Sequence, residues 1–125
     1  MKEFKVLRCK GCGKMVVTLA DSACPTKCCG EPMEELKANT TDGATEKHVP
    51  VVTREDGKLI VNVGSVDHPM IDAHYIQWVA LVTDNSFRIV TLEPGQKPHV
   101  EVAEDEKVNE VYEYCNLHGL WKTEA

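Results

Sequence analysis

No long apolar run occurs in this sequence of 125 residues, and the longest ones, such as "WVALV" at residues 78–82, are far too short to cross a bilayer. We therefore expect no membrane span. The first residues, "MKEFKVLRCKGC", carry charge and cysteine where a secretory signal peptide would carry its apolar stretch. On this basis we expect a cytoplasmic protein.

Positive charge is scarce in most of the chain. The net charge is −6, and it divides into +1 for residues 1–36 and −7 for residues 37–125. An acidic body argues against nucleic acid as a partner. It would also repel a small anionic substrate at long range, so any chemistry on an anion needs a local positive charge here.

Helical periodicity of useful length is absent too, as are internal repeats. Short runs rich in β-branched and aromatic residues alternate with turn signals instead, a pattern that predicts an antiparallel β-sandwich or barrel with little helix. Alternation along the strand that begins at His74 would place Ile76, Trp78 and Ala80 on the same side as its imidazole, and we interpret Trp78 as core packing. The predicted strands lie in "KLIVNVG" (58–64), "HYIQWVALVTD" (74–84), "FRIVTLEPG" (87–95), "PHVEVAED" (98–105) and "KVNEVYEYC" (107–115).

The amino-terminal part differs from this strand-rich body. It contains one short apolar stretch, around Met15 to Leu19, between two cysteine clusters, and so has almost no core. The polar segment "KANTTDGATEKHVP" that follows reads as a linker and loop. We therefore predict a small domain at 1–36, a linker at 37–41 and a larger domain at 42–125.

Five of the six cysteines lie in the small domain. Two pairs, in "CKGCG" and "TKCCG", are each closed by a glycine and together offer four thiolates, which suit tetrahedral iron or zinc. The alternatives are a vicinal disulfide or buried free thiols, but a unit without a core needs a metal as its staple. Adjacent cysteines point to opposite faces of an extended chain, so binding one ion should distort the turn. The predicted ligands are Cys9, Cys12, Cys28 and Cys29, and Cys24 has no assigned metal role.

All five histidines lie in the larger domain, together with the sixth cysteine. His99 stands between charged strand residues, so we interpret it as exposed and outside any site. Four imidazoles and one thiolate exceed what structural zinc takes and indicate a redox metal with an open position; ligand type alone leaves iron, copper and nickel open. The candidate ligands are His48, His68, His74, Cys115 and His118.

At this point the motifs resemble a known family. "EKHVP", "HPM" followed by "HYI", and "CNLHG" match the neelaredoxin-type catalytic domain, and the two cysteine pairs match desulforedoxin. Over essentially its whole length the chain is similar to desulfoferrodoxins, the two-iron class of superoxide reductases. The resemblance implies a mainly β protein, with a small metal-stapled domain followed by an immunoglobulin-like antiparallel β-sandwich.

The same resemblance implies the roles of the residues. The four histidines would hold iron equatorially, with Cys115 as the axial ligand and the sixth position left for superoxide, which is reduced to hydrogen peroxide in oxidative stress defence. Glu46 would occupy the vacant position in the oxidised state, and Lys47 would lie near the substrate path. A second iron would sit at the four cysteines, or zinc if that site is misloaded, in a structural role with optional electron transfer. A rubredoxin-like electron donor and a homodimer are also implied.

Three other functions compete with this interpretation. A pure electron carrier of the rubredoxin type would explain the cysteines but not four histidines with an open position. A zinc-stapled interaction module would contain zinc at both sites and show no visible colour. A superoxide dismutase would evolve oxygen and need no external reductant.

Overall fold

The computed structural model describes residues 3–125. These form two compact units, Glu3–Lys37 and Ala38–Ala125.

The small unit is built from five short strands. Among the described residues of this unit, the buried apolar side chains are Phe4 and Val6, and the thiol of Cys9 is buried as well. Such a core is too small to stabilise a fold by apolar burial. Three strands form a sheet in the order β2-β1-β5, and β3 and β4 form a separate hairpin. The strands are β1 (Val6–Arg8), β2 (Met15–Val17), β3 (Lys27–Cys28), β4 (Glu31–Pro32) and β5 (Glu34–Glu35).

The larger unit is a sandwich of two antiparallel sheets, with strand orders β10-β7-β6 and β12-β11-β8-β9. Three strands against four is the count of an immunoglobulin constant-type sandwich, so the predicted fold class is confirmed. The unit contains one four-residue helix, α1 (Thr45–His48). No helix in the described part of the chain is long and apolar enough to cross a membrane. The strands are β6 (Pro50–Glu55), β7 (Lys58–Val63), β8 (Ile76–Val82), β9 (Phe87–Thr91), β10 (His99–Ala103), β11 (Glu110–Cys115) and β12 (Gly119–Glu124).

Strands β6 and β12 were not among those predicted from sequence. Most of β6 is exposed and β6 is an edge strand, so it lacks the apolar run that marks a buried strand. Its pairing with β7 is set by Asp56 and Gly57, which have φ angles of 51° and 77°. An Asp-Gly pair with two positive φ angles forms a two-residue hairpin turn whose twist matches that of the strands.

The core lies between the two sheets. Because the side chains of a strand alternate between its faces, β7 contributes Leu59, Val61 and Val63, and β8 contributes Ile76, Val79 and Leu81. Cys115 is part of this core as well, at the end of β11. The apolar layer therefore reaches the end of the sandwich at which the candidate ligands lie.

A β-bulge changes the alternation of β8. Opposite β11, Tyr114 pairs with Trp78 but Cys115 pairs with Ile76, which leaves Gln77 as an extra residue. Ile76 faces the core, whereas Trp78 stacks on Tyr114 with ring centroids 5.9 Å apart and lies outside the core cluster. The expectation that Ile76, Trp78 and Ala80 share one face, with Trp78 in the core, was wrong for this reason.

Candidate metal centres

Four cysteine side chains of the small unit converge. The sulfurs of Cys9, Cys12, Cys28 and Cys29 lie within 4.8 Å of one another. The Cys12 and Cys28 sulfurs are 3.6 Å apart, close to the separation of about 3.8 Å expected for two sulfurs that each bind a tetrahedral ion at about 2.3 Å. All six cysteines are free, so the vicinal disulfide is not observed. The four-sulfur group fits one tetrahedral metal ion.

A turn with left-handed backbone brings the two adjacent cysteines together. Cys28 ends β3, and Cys29 and Gly30 form the two-residue turn to β4 with φ angles of 54° and 79°. A positive φ is uncommon for a residue with a side chain. The distortion expected for adjacent ligands is therefore located in the backbone of Cys29.

Crowding couples the ionisation of these thiols. A hydrogen bond from the backbone N–H of Cys12 lowers the pKa of Cys9 to about 7. Hydrogen bonding to the Cys9 side chain in turn raises the pKa of Cys28 and of Cys29, since it stabilises their protonated thiols. All four can be thiolates together only when a cation balances them, and a bound metal ion does this.

The second group lies at one end of the sandwich, on loops and strand ends. α1 carries His48, the turn after β7 carries His68, and His74 precedes β8 in a bridge with Ile71. The other two members flank the β11–β12 turn. One nitrogen or sulfur from each of five residues lies within 4.8 Å of the others. The structure thus brings together all five predicted side chains, His48, His68, His74, Cys115 and His118.

The four imidazoles form a near-square. Successive ring centroids around it are 4.6 Å (His48 to His68), 4.6 Å (His68 to His74), 5.0 Å (His74 to His118) and 4.8 Å (His118 to His48) apart. The diagonal from His48 to His74 is 6.5 Å, near the value that a square of this side requires. The sulfur of Cys115, which is fully buried, lies 3.8 Å from Nδ1 of His118. Four nitrogens around one point, with a sulfur beside them, can surround a single metal ion.

Hydrogen bonds orient two of these rings. Nδ1 of His48 is 2.8 Å from the carbonyl oxygen of Ala44, and Nδ1 of His68 is 2.7 Å from that of Pro69. A carbonyl only accepts, so both Nδ1 atoms carry the proton and both Nε2 atoms present a lone pair. Yet these two Nε2 atoms face each other at 3.1 Å. Two lone pairs that face each other at this distance repel, so a cation is needed between them.

A buried atom without a partner supports the same conclusion. Nε2 of His74 is buried and has no hydrogen-bond partner, although such atoms are almost always paired in folded proteins. Burial lowers the pKa of His48 and His74, and that of His68 to about 4, so these rings are neutral near pH 7 and available as ligands. The donor set fits a metal ion that takes nitrogen and thiolate together.

Burial also raises the pKa of Cys115, while backbone N–H groups of Leu117 and His118 act in the opposite direction. The thiol is therefore protonated in the absence of a cation. Metal binding would release this proton and convert the side chain to a thiolate, which two N–H groups are already placed to stabilise.

The two charged residues before His48 are exposed in α1. The ammonium of Lys47 lies close enough to the imidazole group to lower the pKa of His48 and His74 through its charge. Glu46 is exposed, and its backbone carbonyl is held by the turn after β7. The structure thus brings Lys47 near the group, whereas no contact of the Glu46 carboxylate with it is observed among the described residues.

Two other predicted assignments concern residues outside both groups. His99 is exposed, with Nδ1 2.7 Å from Oδ1 of Asn62 and Nε2 3.3 Å from a carboxylate oxygen of Glu101. Cys24 is an exposed free thiol that does not belong to the four-sulfur group. Both positions agree with the sequence interpretation.

Sequence reasoning missed two side chains that support the imidazoles. The buried ring of Trp121 stacks on His48 with centroids 5.0 Å apart, and its Nε1 donates to the carbonyl of His118 at 3.1 Å. Asn116 accepts a bond from the N–H of Tyr75 at 2.9 Å and donates to the carbonyl of Ala73 at 3.0 Å, on either side of His74. Asn116 and Trp121 directly flank the "LHGL" segment, but nothing in their spacing indicates which distant segments of the chain they contact.

A buried glutamic acid, Glu113, lies beside Cys115, the sulfur of the candidate imidazole and thiol group. Glu113 is fully buried on the same face of β11 as Cys115, and neither of its carboxylate oxygens has a hydrogen-bond partner. Burial raises the pKa of Glu113 well above 4.5. The folded protein therefore retains a proton that the unfolded chain releases, and stability is lost as pH rises above the ordinary carboxyl range.

We expect Glu113→Gln to stabilise the sandwich at about pH 8, by about 1–3 kcal/mol, because it removes a buried group that resists ionisation. At about pH 5 the gain should shrink, since this pH is close to the ordinary carboxyl pKa and keeping the proton in the fold then costs little relative to the unfolded chain. Urea unfolding of both proteins at equal metal content, followed by tryptophan fluorescence, measures this difference. An equal gain at both pH values would show that folding does not raise the pKa of Glu113.

The family model for desulfoferrodoxin matches residues 40–124 of this chain. The desulfoferrodoxin of Syntrophotalea carbinolica is 43% identical over 124 residues, covering 99% of this chain and 98% of the relative. The superoxide reductase of Thermococcus kodakarensis is 34% identical over 103 residues, covering 67% of this chain and 90% of the relative.

Among solved structures, the superoxide reductase from Treponema pallidum matches with a TM-score of 0.81 and 34% identity, covering 98% of this chain and 100% of that one. This match spans both units. With a family profile over most of the chain and a relative similar across nearly its full length, the chain belongs to the desulfoferrodoxin family.

Proposed function

We propose that this protein is a superoxide reductase. It takes one electron from a donor and transfers it to superoxide, which becomes hydrogen peroxide on uptake of two protons, and it serves in defence against oxidative stress. The observation that carries this proposal is the convergence of four neutral imidazoles and one thiol at one end of the sandwich, where Nε2 of His74 is buried without a partner. Kinship with the superoxide reductases described above supports it.

We assign iron to both groups of ligands. His48, His68, His74, His118 and Cys115 would hold the catalytic iron, which when bound supplies the electron that superoxide takes up. Cys9, Cys12, Cys28 and Cys29 would hold the second iron, and zinc could replace it there if the site is misloaded. In this proposal each predicted domain holds one iron: the small domain at 1–36 holds the four-cysteine iron, and the larger domain at 42–125 holds the catalytic iron. A linker at 37–41 joins them.

The residues of the chain perform the remaining tasks. The carbonyls of Ala44 and Pro69 hold two rings in the tautomer that presents Nε2. The thiolate of Cys115 donates electron density, and the N–H groups of Leu117 and His118 moderate it. Glu46 is exposed on α1 and, in this proposal, would be a further carboxylate that can hold the iron in its oxidised state.

Lys47 is assigned to the encounter with substrate. The ammonium lies near His48 and His74 on a chain with a net charge of −6, so it gives an anion a local attraction on a repelling surface. The same group can order water for proton delivery to the reduced oxygen species. We further propose a cytoplasmic homodimer with a rubredoxin-like electron donor.

Anaerobic metal analysis combined with the visible spectrum in both oxidation states tests the metal assignment. We expect two irons per chain, and zinc at both sites with no colour would favour an interaction module. Reduced protein should consume superoxide with stoichiometric reductant and form peroxide. Oxygen evolved at half the superoxide consumed would identify a dismutase instead and overturn the proposal.

Replacing Lys47 by alanine should slow the reaction with superoxide by about tenfold at low ionic strength. Added salt should then slow the variant less than the native protein, or even speed its reaction, because the charge that remains near the site is acidic. Iron content should be unchanged. Stopped-flow kinetics across ionic strength measure this effect.

Lys58→Ala is the matched control, since Lys58 begins β7 at the end of the sandwich remote from α1 and pairs with Glu101 at 3.5 Å. It should keep the native rate and salt dependence. If Lys47→Ala behaves like this control, Lys47 has no part in the encounter.

A further inference from the structure

The turn that follows β7 is bonded to the backbone of α1. We call residues Gly64–Val66 the Gly64 turn. The carbonyl oxygen of Glu46 accepts one hydrogen bond from the N–H of Val66 at 2.9 Å and a second from the hydroxyl of Ser65 at 3.2 Å. α1 has only four residues and no side-chain cap, so it has few internal bonds of its own. The Gly64 turn therefore contributes much of what holds this segment in place.

Gly64 is required here for space. A Cβ at this position would lie 2.6 Å from the carbonyl oxygen of Glu46, 2.9 Å from that of Val49 and 3.0 Å from the carbonyl carbon of Lys47. All three neighbours are backbone atoms, which cannot rotate away as a side chain would. The φ angle of Gly64 lies outside the left-handed region, so conformation does not explain the glycine. Any side chain at this position would displace α1.

The Gly64 turn leads directly to a ligand. The N–H of His68 donates to the carbonyl of Val63 at 2.9 Å, which closes the loop around the turn. On the other side of the contact, α1 carries Lys47 and the ligand His48. One turn thus sits between two candidate ligand segments and fixes the backbone of α1, in which Lys47 directly precedes His48.

We propose that the Gly64 turn positions Lys47 for the superoxide reaction. By holding the carbonyl of Glu46, it sets the distance between the Lys47 ammonium and the imidazole group. Gly64 and Ser65 are then positioning residues, which touch neither substrate nor metal. This inference rests on the proposed function and adds to it the element that holds the attracting charge in place.

Two variants of the iron-loaded protein test the proposal. Ser65→Ala removes one of the two bonds to Glu46, and Gly64→Ala introduces the clash. In Ser65→Ala the amide hydrogens of residues 45–49 should exchange about three- to tenfold faster, as the loss of one hydrogen bond implies. Both variants should react more slowly with superoxide and lose salt dependence. Ser65→Ala, which introduces no clash with α1, should keep native iron content and visible spectrum. Added to Lys47→Ala, Ser65→Ala should slow the reaction no further, because the charge that it positions is gone.

Ser86→Ala is the matched control. The hydroxyl of Ser86 also bonds within a turn, to Thr83 at 2.6 Å, but at the β8–β9 end of the sandwich. It should leave exchange at residues 45–49 and the reaction with superoxide unchanged. If Gly64→Ala does not fold, Ser65→Ala carries the test alone.

Unchanged exchange at residues 45–49 in Ser65→Ala would overturn the proposal, as would rate losses that multiply with that of Lys47→Ala. Iron loss in Ser65→Ala would overturn it too, since the turn would then hold ligands rather than Lys47. The exchange measurement needs no substrate. Failure of the positioning role is therefore distinguishable from failure of the proposed function, in which the unaltered protein would consume no superoxide.

Discussion

Replacing His74 by alanine is expected to abolish the reaction with superoxide. The ring lies 4.6 Å from His68 and 5.0 Å from His118 between centroids, and it closes the near-square of imidazoles. Its Nε2 is buried with no partner in the protein, so a metal ion is the partner left for it. Removing a side chain that only hydrogen-bonds to a metal ligand commonly lowers metal affinity about 10- to 100-fold. Loss of a ligand should exceed this, and we expect iron at this site to fall below detection after dialysis.

His99→Ala provides the matched control for this experiment. It removes the same side chain from the same unit, but His99 is exposed and bonded to Asn62 and Glu101, away from the imidazole group. Its iron content, visible spectrum and superoxide rate should equal those of the native protein. The measurements are metal per chain, the visible spectrum and stopped-flow kinetics. If His74→Ala retains iron and rate, the five-residue group is not the catalytic centre.

The residues that the structure brings together in the imidazole group could be predicted from sequence because each occurs in a short motif whose order matches the family. Segments far apart in the chain, such as "EKHVP" and "CNLHG", were placed in one site by that resemblance. The strands on either side explain how the fold achieves this, since β7 ends near His68, β8 begins after His74 and β11 ends at Cys115. These strand ends meet at one end of the sandwich, and the short β-branched and aromatic runs had predicted that fold class.

Other features could not be predicted because they depend on register. One extra residue in β8, Gln77, turns Trp78 away from the core, and the apolar run "IQWVALV" contains no sign of that bulge. The contact of Gly64 with α1 follows from the pairing of β6 with β7, and the stacking of Trp121 on His48 joins segments that the packing of the two sheets brings together. The sequence pattern thus predicts which residues come together in the candidate sites, while the residues that hold them in position follow from tertiary packing.

The second large effect is expected in the small unit, where Cys28→Ser should unfold residues 3–37 and release their metal. The described residues of this unit bury two apolar side chains, Phe4 and Val6, together with Cys9, which is far too little to fold without a staple. Metal binding to a structural four-ligand site contributes about 10–16 kcal/mol in small domains, so removing one thiolate removes most of the folding free energy. Metal content should fall from two ions per chain to one, and limited proteolysis should cleave within residues 3–37.

Cys24→Ser makes the same chemical change on an exposed free thiol outside the four-sulfur group, so it should keep both ions and resist cleavage. The decisive comparison is the superoxide rate of Cys28→Ser, measured with a small chemical reductant. The two units are each compact, and the five ligands of the catalytic group all lie in the larger one. A native rate would therefore assign the four-sulfur group to structure, whereas loss of the rate together with loss of this metal would make the group part of the electron path. Cys24→Ser removes a thiol without removing the metal site. An effect seen only in Cys28→Ser is therefore due to loss of the site, and its superoxide rate then distinguishes a structural role from a role in electron transfer.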